Sequence, residues 1–517
     1  INLKTFIQKN KMNDAKPLSF EYEELGLAPD AARRLSLFMD NVVQGSETNI
    51  LTPLGRHSDP DQILSDWLRV IESNTALLSP KLFEVEQSQS LKYGPRSLQK
   101  KWVDRRDQLD KSFSPDDTEN KVIPSSSHRS SGRLRPLSRN QAIDLTKNST
   151  NSGLPHLIRK IAVKDDYRSN DSLYTRNDPC VLFTRTQEGN KTRDVWCFPF
   201  SETIREMRFY HPLLGYQKQL SWRSALRGPE EVDRALIPLL DTCWNQGKIA
   251  VSIDFAGYDS TVKRNLQRES FNYIKRLFQT EFHGEIDEIF EKFNTIGLVT
   301  PEGILSGSHG VPSGSTFTNE VDSIAQYLIT SSLVDDVNMQ LQGDDGIYVV
   351  NGPGEAETLI HTLEQYGLVP NKEKSYISGE YAIYLQQLYD KALMNNGVRG
   401  GVYPTVRALN RLIHQERFTN LVDTGVDGGD YYSLRTISIL ENCKYHPLFK
   451  QFVSFVYNLD RKRLLYSRNG LHNYIKLNYD GKGLTGILNN QYGDDITGID
   501  SFETIKVLRE LGSGITF

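Results

Sequence analysis

MQLQGDDGIYVV, residues 339–350, reads as two short strands and the turn that joins them. Met339 and Leu341 alternate with glutamines, as a half-buried strand requires, and Ile347 to Val350 return as a β-branched, aromatic run. Gly343 and Asp344 suit the tight turn between them. This hairpin sets Asp344 and Asp345 side by side, and two such carboxylates repel unless a cation joins them. Upstream, in KIAVSIDF (248–255), Ile249, Val251 and Ile253 alternate in the same way and run into Asp254. If that strand lies beside the hairpin, Asp254 supplies a third oxygen ligand. Hard oxygen ligands in this number suit Mg²⁺ or Mn²⁺, ions that keep several waters and also bind substrate phosphates. Two such ions about 4 Å apart activate an attacking hydroxyl and stabilise the leaving oxygen of an in-line phosphoryl transfer. Polymerases use that chemistry, and so do nucleases.

Working outward, Val262, Leu266, Ile274, Leu277, Phe278 and Phe282 recur at helical spacing after the first strand. A loop of small residues, LSGSHGVPSGS (305–315), precedes a second helix marked by Phe317, Val321, Ile324, Ala325 and Leu328. After the hairpin a third helix runs through Ala356, Leu359, Ile360 and Leu363, with Gly367 placed to end it. The order from 248 onward is strand, helix, helix, hairpin, helix, which is an α+β arrangement. Gly-Asp-Asp alone is a weak signal, since ordinary residue usage produces it in about one chain in ten of this length. It occurs again at Gly493-Asp494-Asp495, but no strands of comparable strength flank that copy, which reads as a surface turn.

The 517 residues suffice for about three domain-sized units. With 38% hydrophobic and 24% charged residues, the composition is that of a globular protein, and no apolar run approaches the roughly 20 residues of a membrane-spanning helix. No membrane association is expected. The first residues, INLKTFIQKNKMND, are too polar for the core of a secretory signal. Four scattered cysteines without a CxxC pair argue against a zinc site or a disulfide framework. The net charge of −4 lacks the basic excess of proteins that coat nucleic acid, so any RNA path must concentrate its positive charge locally. Lys121 to Arg139 is one basic stretch, with five Lys or Arg and no acid; it reads equally as a solvated loop and as part of such a path.

IDFAGYD (253–259), GVPSGSTFTNEVDS (310–323) and LQGDDG (341–346), in that order, resemble motifs A, B and C of viral RNA-dependent RNA polymerases, most of all those of the partitivirus and picobirnavirus group. The sharp match runs from Thr150 to Tyr389. The resemblance assigns Asp254, Asp344 and Asp345 to two divalent ions and Asp259 to the nucleotide's ribose, where a carboxylate can engage the 2′-hydroxyl. Ser313, Gly314 and Thr318 fit motif B, its glycine letting the backbone approach the template. Picornavirus-like enzymes carry an asparagine four residues after that threonine; here Asp322 stands there and Asn319 follows Thr318 directly, so either could support Asp259. TRTQEGNKTRDVW (184–196) resembles the basic strand of motif F, which implies that Arg185, Lys191 and Arg193 face the triphosphate. TNSGLP (150–155) resembles motif G, with Ser152 and Gly153 on the template path. NKEKSYIS (371–378) resembles motif D, and Lys374, with Lys372 as its competitor, fits the general acid that protonates pyrophosphate. YLQQLY (384–389) fits the supporting hairpin of motif E.

The fold these motifs imply is a closed right hand of fingers, palm and thumb, the palm an antiparallel sheet backed by helices. Residues 1–90 would bridge fingers and thumb, 91–247 with part of 262–305 form the fingers, 248–390 the palm, and 391–517 the thumb with a loop-rich tail. Template and product RNA and ribonucleoside triphosphates are the implied partners, capsid protein a further candidate, and the virion interior and host cytoplasm the implied location. A reverse transcriptase would share the palm, but Asp259 opposes deoxynucleotide selection. A nuclease would leave the sugar-reading residues without a task, and a non-catalytic RNA-binding scaffold has no use for clustered charges.

Overall fold

The computed structural model describes residues 22–124, 132–482 and 498–512. Its strands are β1 (Cys180–Gln187), β2 (Lys191–Cys197), β3 (Ile249–Ile253), β4 (Leu298–Thr300), β5 (Gly303–Leu305), β6 (Met339–Gln342), β7 (Asp345–Val350), β8 (Tyr376–Ser378), β9 (Tyr381–Tyr384) and β10 (Gln387–Asp390). The helices that matter here are α1 (Pro80–Lys92), α2 (Phe200–Gln217), α3 (Arg264–Leu277), α4 (Thr318–Thr330), α5 (Pro353–Gln365) and α6 (Thr405–Ile413).

The central sheet has the order β6-β7-β3-β8, and all its pairs are antiparallel. Its inward residues Val251, Ile253, Leu341 and Tyr348 share a core with Leu266 and Ile274 of α3, Val321, Ile324 and Leu328 of α4, and Leu359 and Leu363 of α5. Alternation along the strands and helical spacing along α3 to α5 thus converge on one layer of helices behind one sheet. The helix expected from Val262 to Phe282 is interrupted. A single turn, Tyr258–Thr261, comes first, and Val262 is extended (φ −79°, ψ 93°) before α3 begins. Val262 and Phe278 are buried in the core as their spacing implied, but from the flanks of the helix.

A second sheet, β2-β1-β4-β5, combines a long antiparallel hairpin with two short strands from the insertion between α3 and α4. The basic segment read as one strand is therefore a hairpin, with Arg185 opposite Arg193. Strands β9 and β10 form a separate two-stranded hairpin, in which Leu385 and Gln386 both adopt positive φ.

Residues 29–92 touch both ends of the molecule. Leu35, Met39 and Val42 of the helix Pro29–Gln44 pack with Val181 and Leu182 of β1. Trp67 and Leu82, further along, sit in the core of the C-terminal helices with Leu409, Leu434 and Phe452. The four cysteines are free and buried.

Candidate active site

The register of the central sheet brings the three carboxylates together. Ile253 pairs with Gly346 and Gln342 with Asp345, so Asp254, one residue past the end of β3, lies beside the β6–β7 turn. Asp254 is exposed, and its backbone is fixed from the other side of β3. Its N–H donates to Ser375 Oγ (3.1 Å), and its carbonyl accepts from Asn371 N–H (2.7 Å). Asp345 accepts at Oδ2 from Leu385 N–H at 3.0 Å. Burial, reinforced by the Asp344 and Asp254 charges, pushes the Asp345 carboxyl up to about 7. Burial and the Asp259 charge also raise Asp344, with Arg193 opposing them. Carboxylates that raise one another in this way form an oxygen donor set that gains from a divalent cation, and its chemistry fits Mg²⁺ or Mn²⁺.

Helix α4 holds the turn. Gly343, with φ 63°, starts the reversal, and its N–H donates to Ser323 Oγ at 2.7 Å. Gln326 Nε2 donates to the Gly343 carbonyl (3.3 Å), while its Oε1 accepts from Tyr348 Oη (2.6 Å). At Gly346 an added Cβ would lie 2.2 Å from that Oε1, so a side chain there would displace the Gln326 amide from its place on the hairpin. Beneath the turn, Arg223 forms a buried two-pronged ion pair with Glu320 (2.7 and 2.5 Å) and reaches Gln342 at 3.3 Å. Ser323, Gln326, Arg223 and Glu320 were missed in the sequence. Their role is set by contacts between distant segments, and only the polar residues scattered through an otherwise apolar helix hint at it.

Asp259, half-buried, accepts a hydrogen bond from Ser313 Oγ. Thr318 Oγ1 donates to the Pro312 carbonyl at 3.0 Å and so holds the motif B loop from within. Gly314 has φ 141°, and a Cβ there would stand 2.0 Å from the Trp196 carbonyl, while Trp196 N–H donates to the Ser313 carbonyl at 2.7 Å. The loop thus docks on β2. Glu206 of α2 braces it from behind, accepting from Ser315 Oγ (2.5 Å) and Thr316 N–H (3.1 Å), and burial pushes this carboxyl up to about 8. Of the two candidates to support Asp259, Asp322 is the neighbour: burial, with the Asp259 charge beside it, raises its carboxyl well above the ordinary value. Asn319 turns instead toward the β6–β7 hairpin, its Oδ1 2.9 Å from where a Gly343 Cβ would be.

The remaining expected residues divide. Arg193 acts electrostatically on Asp344, whereas Arg185 is ion-paired with Glu416 at 3.1 Å. Lys191 lies near the tip of the β1–β2 hairpin and, with Lys374, is close enough to depress the Lys92 amine, already lowered by burial. Lys372 and Lys374 are both exposed on the turn that clamps the Asp254 backbone, with Lys374 next to Ser375. Ser152 and Gly153, expected on the template path, are both buried. Ser152 is fully buried, with its Oγ accepting from Ile158 N–H (3.4 Å), and Gly153, φ 64°, is packed against the Phe198 carbonyl. They shape the loop, whose exposed cation is Arg159. Gly493-Asp494-Asp495 lies outside the described residues.

An antiparallel palm with carboxylates at one hairpin and one strand end, a basic hairpin facing them and a glycine loop at their side defines a right-hand nucleic-acid polymerase. The chain belongs to the viral RNA-dependent RNA polymerases: that family's profile matches residues 134–401. It is 29% identical, over 90% of its length and 89% of the relative's, to a protein of human picobirnavirus (strain Human/Thailand/Hy005102/-) described as a potential RNA-dependent RNA polymerase. An RNA-directed RNA polymerase of Cryptosporidium parvum virus 1 (strain KSU-1) is 26% identical over 29% of this chain and 30% of its own. The crystal structure of the RNA-dependent RNA polymerase of a human picobirnavirus superposes with a TM-score of 0.76 at 26% identity, covering 94% of this chain and 99% of that one. The α+β right-hand fold is thereby established, and with it template-directed RNA synthesis from nucleotide substrates on an RNA template, by chemistry that in this family uses divalent metal ions.

Proposed function

We propose that the chain replicates and transcribes the genome of a double-stranded RNA virus, joining ribonucleoside triphosphates with two Mg²⁺ or Mn²⁺ ions held by Asp254, Asp344 and Asp345. The observation that carries this reading is the sheet register, which sets the end of β3 against the β6–β7 turn. When bound, the ions activate the primer or initiating hydroxyl and stabilise the leaving oxygen. Among the described residues no three carboxylate, imidazole or thiol groups already form a closed ligand set. Asp254, Asp344 and Asp345 would leave places for water and triphosphate oxygens, as is usual for Mg²⁺ in phosphoryl-transfer sites.

In this reading Asp259, fixed by Ser313, accepts from the ribose 2′-hydroxyl, and Thr318 and Asn319 hold the loop and turn around the sugar. Arg193, with Lys191 and Arg185 on the same hairpin, neutralises the triphosphate, and Lys374 protonates the departing pyrophosphate. Gly314 brings the backbone of its loop to the template. The division into a bridge (1–90), fingers (91–247 with part of 262–305), palm (248–390) and thumb (391–517) belongs to the same proposal. So do a virion and host-cytoplasm location and contact with capsid protein. No helix among the described residues is long and apolar enough to cross a membrane.

The test is extension of an RNA template with ribonucleotides and Mg²⁺ or Mn²⁺ by wild type, Asp344→Asn/Asp345→Asn and Asp494→Asn/Asp495→Asn. Synthesis should vanish in the first variant and persist in the second. Loss confined to the second would move the catalytic pair to the other Gly-Asp-Asp.

A further inference from the structure

Beyond α6 the chain forms an arch, residues 415–426, that is tied to three other segments. At its start Gln415 N–H donates to the Ile50 carbonyl (2.8 Å), and the Glu416 carbonyl accepts from Thr186 Oγ1 of β1 (3.2 Å). The Glu416 carboxylate pairs with Arg185 of the same strand at 3.1 Å. Toward its end Asp423 pairs at 2.6 Å with Arg159, on the loop that carries Ser152 and Gly153. Within the arch Asn420 Oδ1 accepts from Val422 N–H (3.1 Å), and Thr424 Oγ1 donates to the Leu421 carbonyl (2.7 Å). The span is therefore pinned between the β1–β2 hairpin and that loop, and its turns are held by its own side chains.

On this tethered span Phe418 is 77% exposed. A lone exposed apolar side chain is ordinary on a protein surface, so the ring means something only through its neighbours. One of them is Arg417, itself exposed, whose charge acts on Lys147 at the base of the opposite loop. The other lysines of that loop are occupied. Lys160 Nζ donates to Thr150 Oγ1 (2.7 Å) and the Asn151 carbonyl (3.1 Å), and Lys164 Nζ to the Thr146 carbonyl (2.8 Å) and Asn148 Oδ1 (2.7 Å). Among the described residues, no acid pairs with either Lys147 or Arg417. The Lys147 amine, reached by solvent but walled in by its neighbours, is pushed below its ordinary value by that crowding and by Arg417. Two cations held together without an acid repel, and an anion between them relieves the repulsion.

An open aromatic ring beside two such cations is suited to a single strand of nucleic acid, whose bases stack on the ring while its phosphates neutralise the charges. A double helix hides its base faces and would leave the ring unused. We propose that Phe418 is a stacking platform for an unpaired base of the incoming template RNA, with Lys147 and Arg417 holding the phosphates on either side of that base. The inference rests on the reading of the loop around Ser152 and Gly153 as bordering the template, and it adds the residues that grip the strand there. Every base has a π face, so the platform passes any sequence, as a copying enzyme requires.

The test is RNA binding by the full-length protein, read by fluorescence anisotropy. The probe is one hairpin RNA, either blunt or with a long unpaired 5′ extension, the part of a template still to be copied. Wild type should bind the extended hairpin more tightly than the blunt one. Phe418→Ala should weaken binding of the extended hairpin by about tenfold and spare the blunt one, and Phe418→Trp should keep wild-type affinity. Lys147→Gln and Arg417→Gln should each flatten the slope of log affinity against log salt by about 0.7, the share of one phosphate contact on a single strand. Undiminished binding of the extended hairpin by Phe418→Ala overturns the proposal and leaves the ring to a protein partner. An equal loss on both hairpins overturns it as well, since the ring would then support the closed hand. In a second measurement, 5-iodouridine placed in the extension and irradiated with wild type should crosslink to the peptide that contains Phe418; crosslinks confined to other peptides overturn the platform without any variant. RNA extension by wild type keeps the layers apart: a protein that copies RNA while Phe418→Ala binds normally loses only the platform, not the polymerase reading.

Discussion

Asp259 and Glu206 show how much a single carboxyl's surroundings decide. Asp259→Ala should weaken ribonucleotide preference while metal-dependent synthesis persists, because Asp259 is not among the three aspartates proposed to hold the metal ions. Competition between ATP and 2′-deoxy-ATP measures it, and full retention of preference would displace Asp259 from the sugar. Glu206 allows a pH prediction. Its folded-state pKa of about 8 exceeds the ordinary carboxyl value, so the folded protein binds more protons than the unfolded chain between roughly pH 4 and 8. The stability this group contributes is fully present below the unfolded pKa and is lost as pH rises toward 8. Glu206→Gln should therefore flatten the decline in melting temperature across that window, and an unchanged decline would place the titration elsewhere. Asp254, Asp344, Asp345 and Asp259 were legible because their neighbours in sequence are the strands and turns that present them. Glu206, 107 residues before the Ser313 it helps to place, has no local signature and looks like any acid on an amphipathic helix.

At the scale of elements, legibility followed the range of the contacts. The β6–β7 hairpin, β3, α4 and α5 declared themselves by periodicity and turn chemistry within a dozen residues. Strands β4 and β5 did not, because β4 joins the sheet by pairing Leu298 with Cys180 of β1 from over a hundred residues away, β5 pairs only with β4, and each strand is only three residues long. The motif B loop was readable as a loop but not as a docked one. Its attachment to β2 depends on Gly314, whose backbone conformation disfavours a side chain and whose missing Cβ makes room for the Trp196 carbonyl. Gly314→Ala must shift either the loop or β2, with strain on the order of 1–3 kcal/mol before any clash is counted. The expected outcome is a lowered melting temperature, with RNA extension reduced further than the stability loss explains, since Ser313 moves with the loop. A variant with wild-type extension would show that the docked state is dispensable.

Across the whole molecule, closure is electrostatic as well as apolar. Glu188, at the tip of the β1–β2 hairpin, reaches Arg96, just beyond α1, at 3.4 Å and Arg407 of α6 at 3.3 Å. Glu416, after α6, pairs with Arg185 at 3.1 Å and approaches Arg96 at 3.9 Å, and Arg159 reaches Asp423 at 2.6 Å. The N-terminal segment, the basic hairpin and the C-terminal helices therefore meet through two acids set among several arginines. Nothing local in the sequence marks Glu188 for this role, because its partners lie 92 and 219 residues away. Glu188→Gln removes the acid shared by Arg96 and Arg407, leaving Arg96, which has the Arg411 charge beside it, with only Glu416 at 3.9 Å to offset the repulsion among these half-buried cations. The cost should fall between the roughly 1 kcal/mol of a surface ion pair and the 3–5 kcal/mol of a buried one. Because it arises from repulsion near the surface, it should shrink in about 1 M salt, where the screening length is near 3 Å. Hydrogen exchange should quicken at residues 185–193 and in α6 while β3 and β7 keep their protection, since none of the described ion pairs of this junction reaches β3 or β7. A loss of stability independent of salt, or quickened exchange in β3 and β7, would mean that Glu188 supports the core of the fold rather than the closure of the hand.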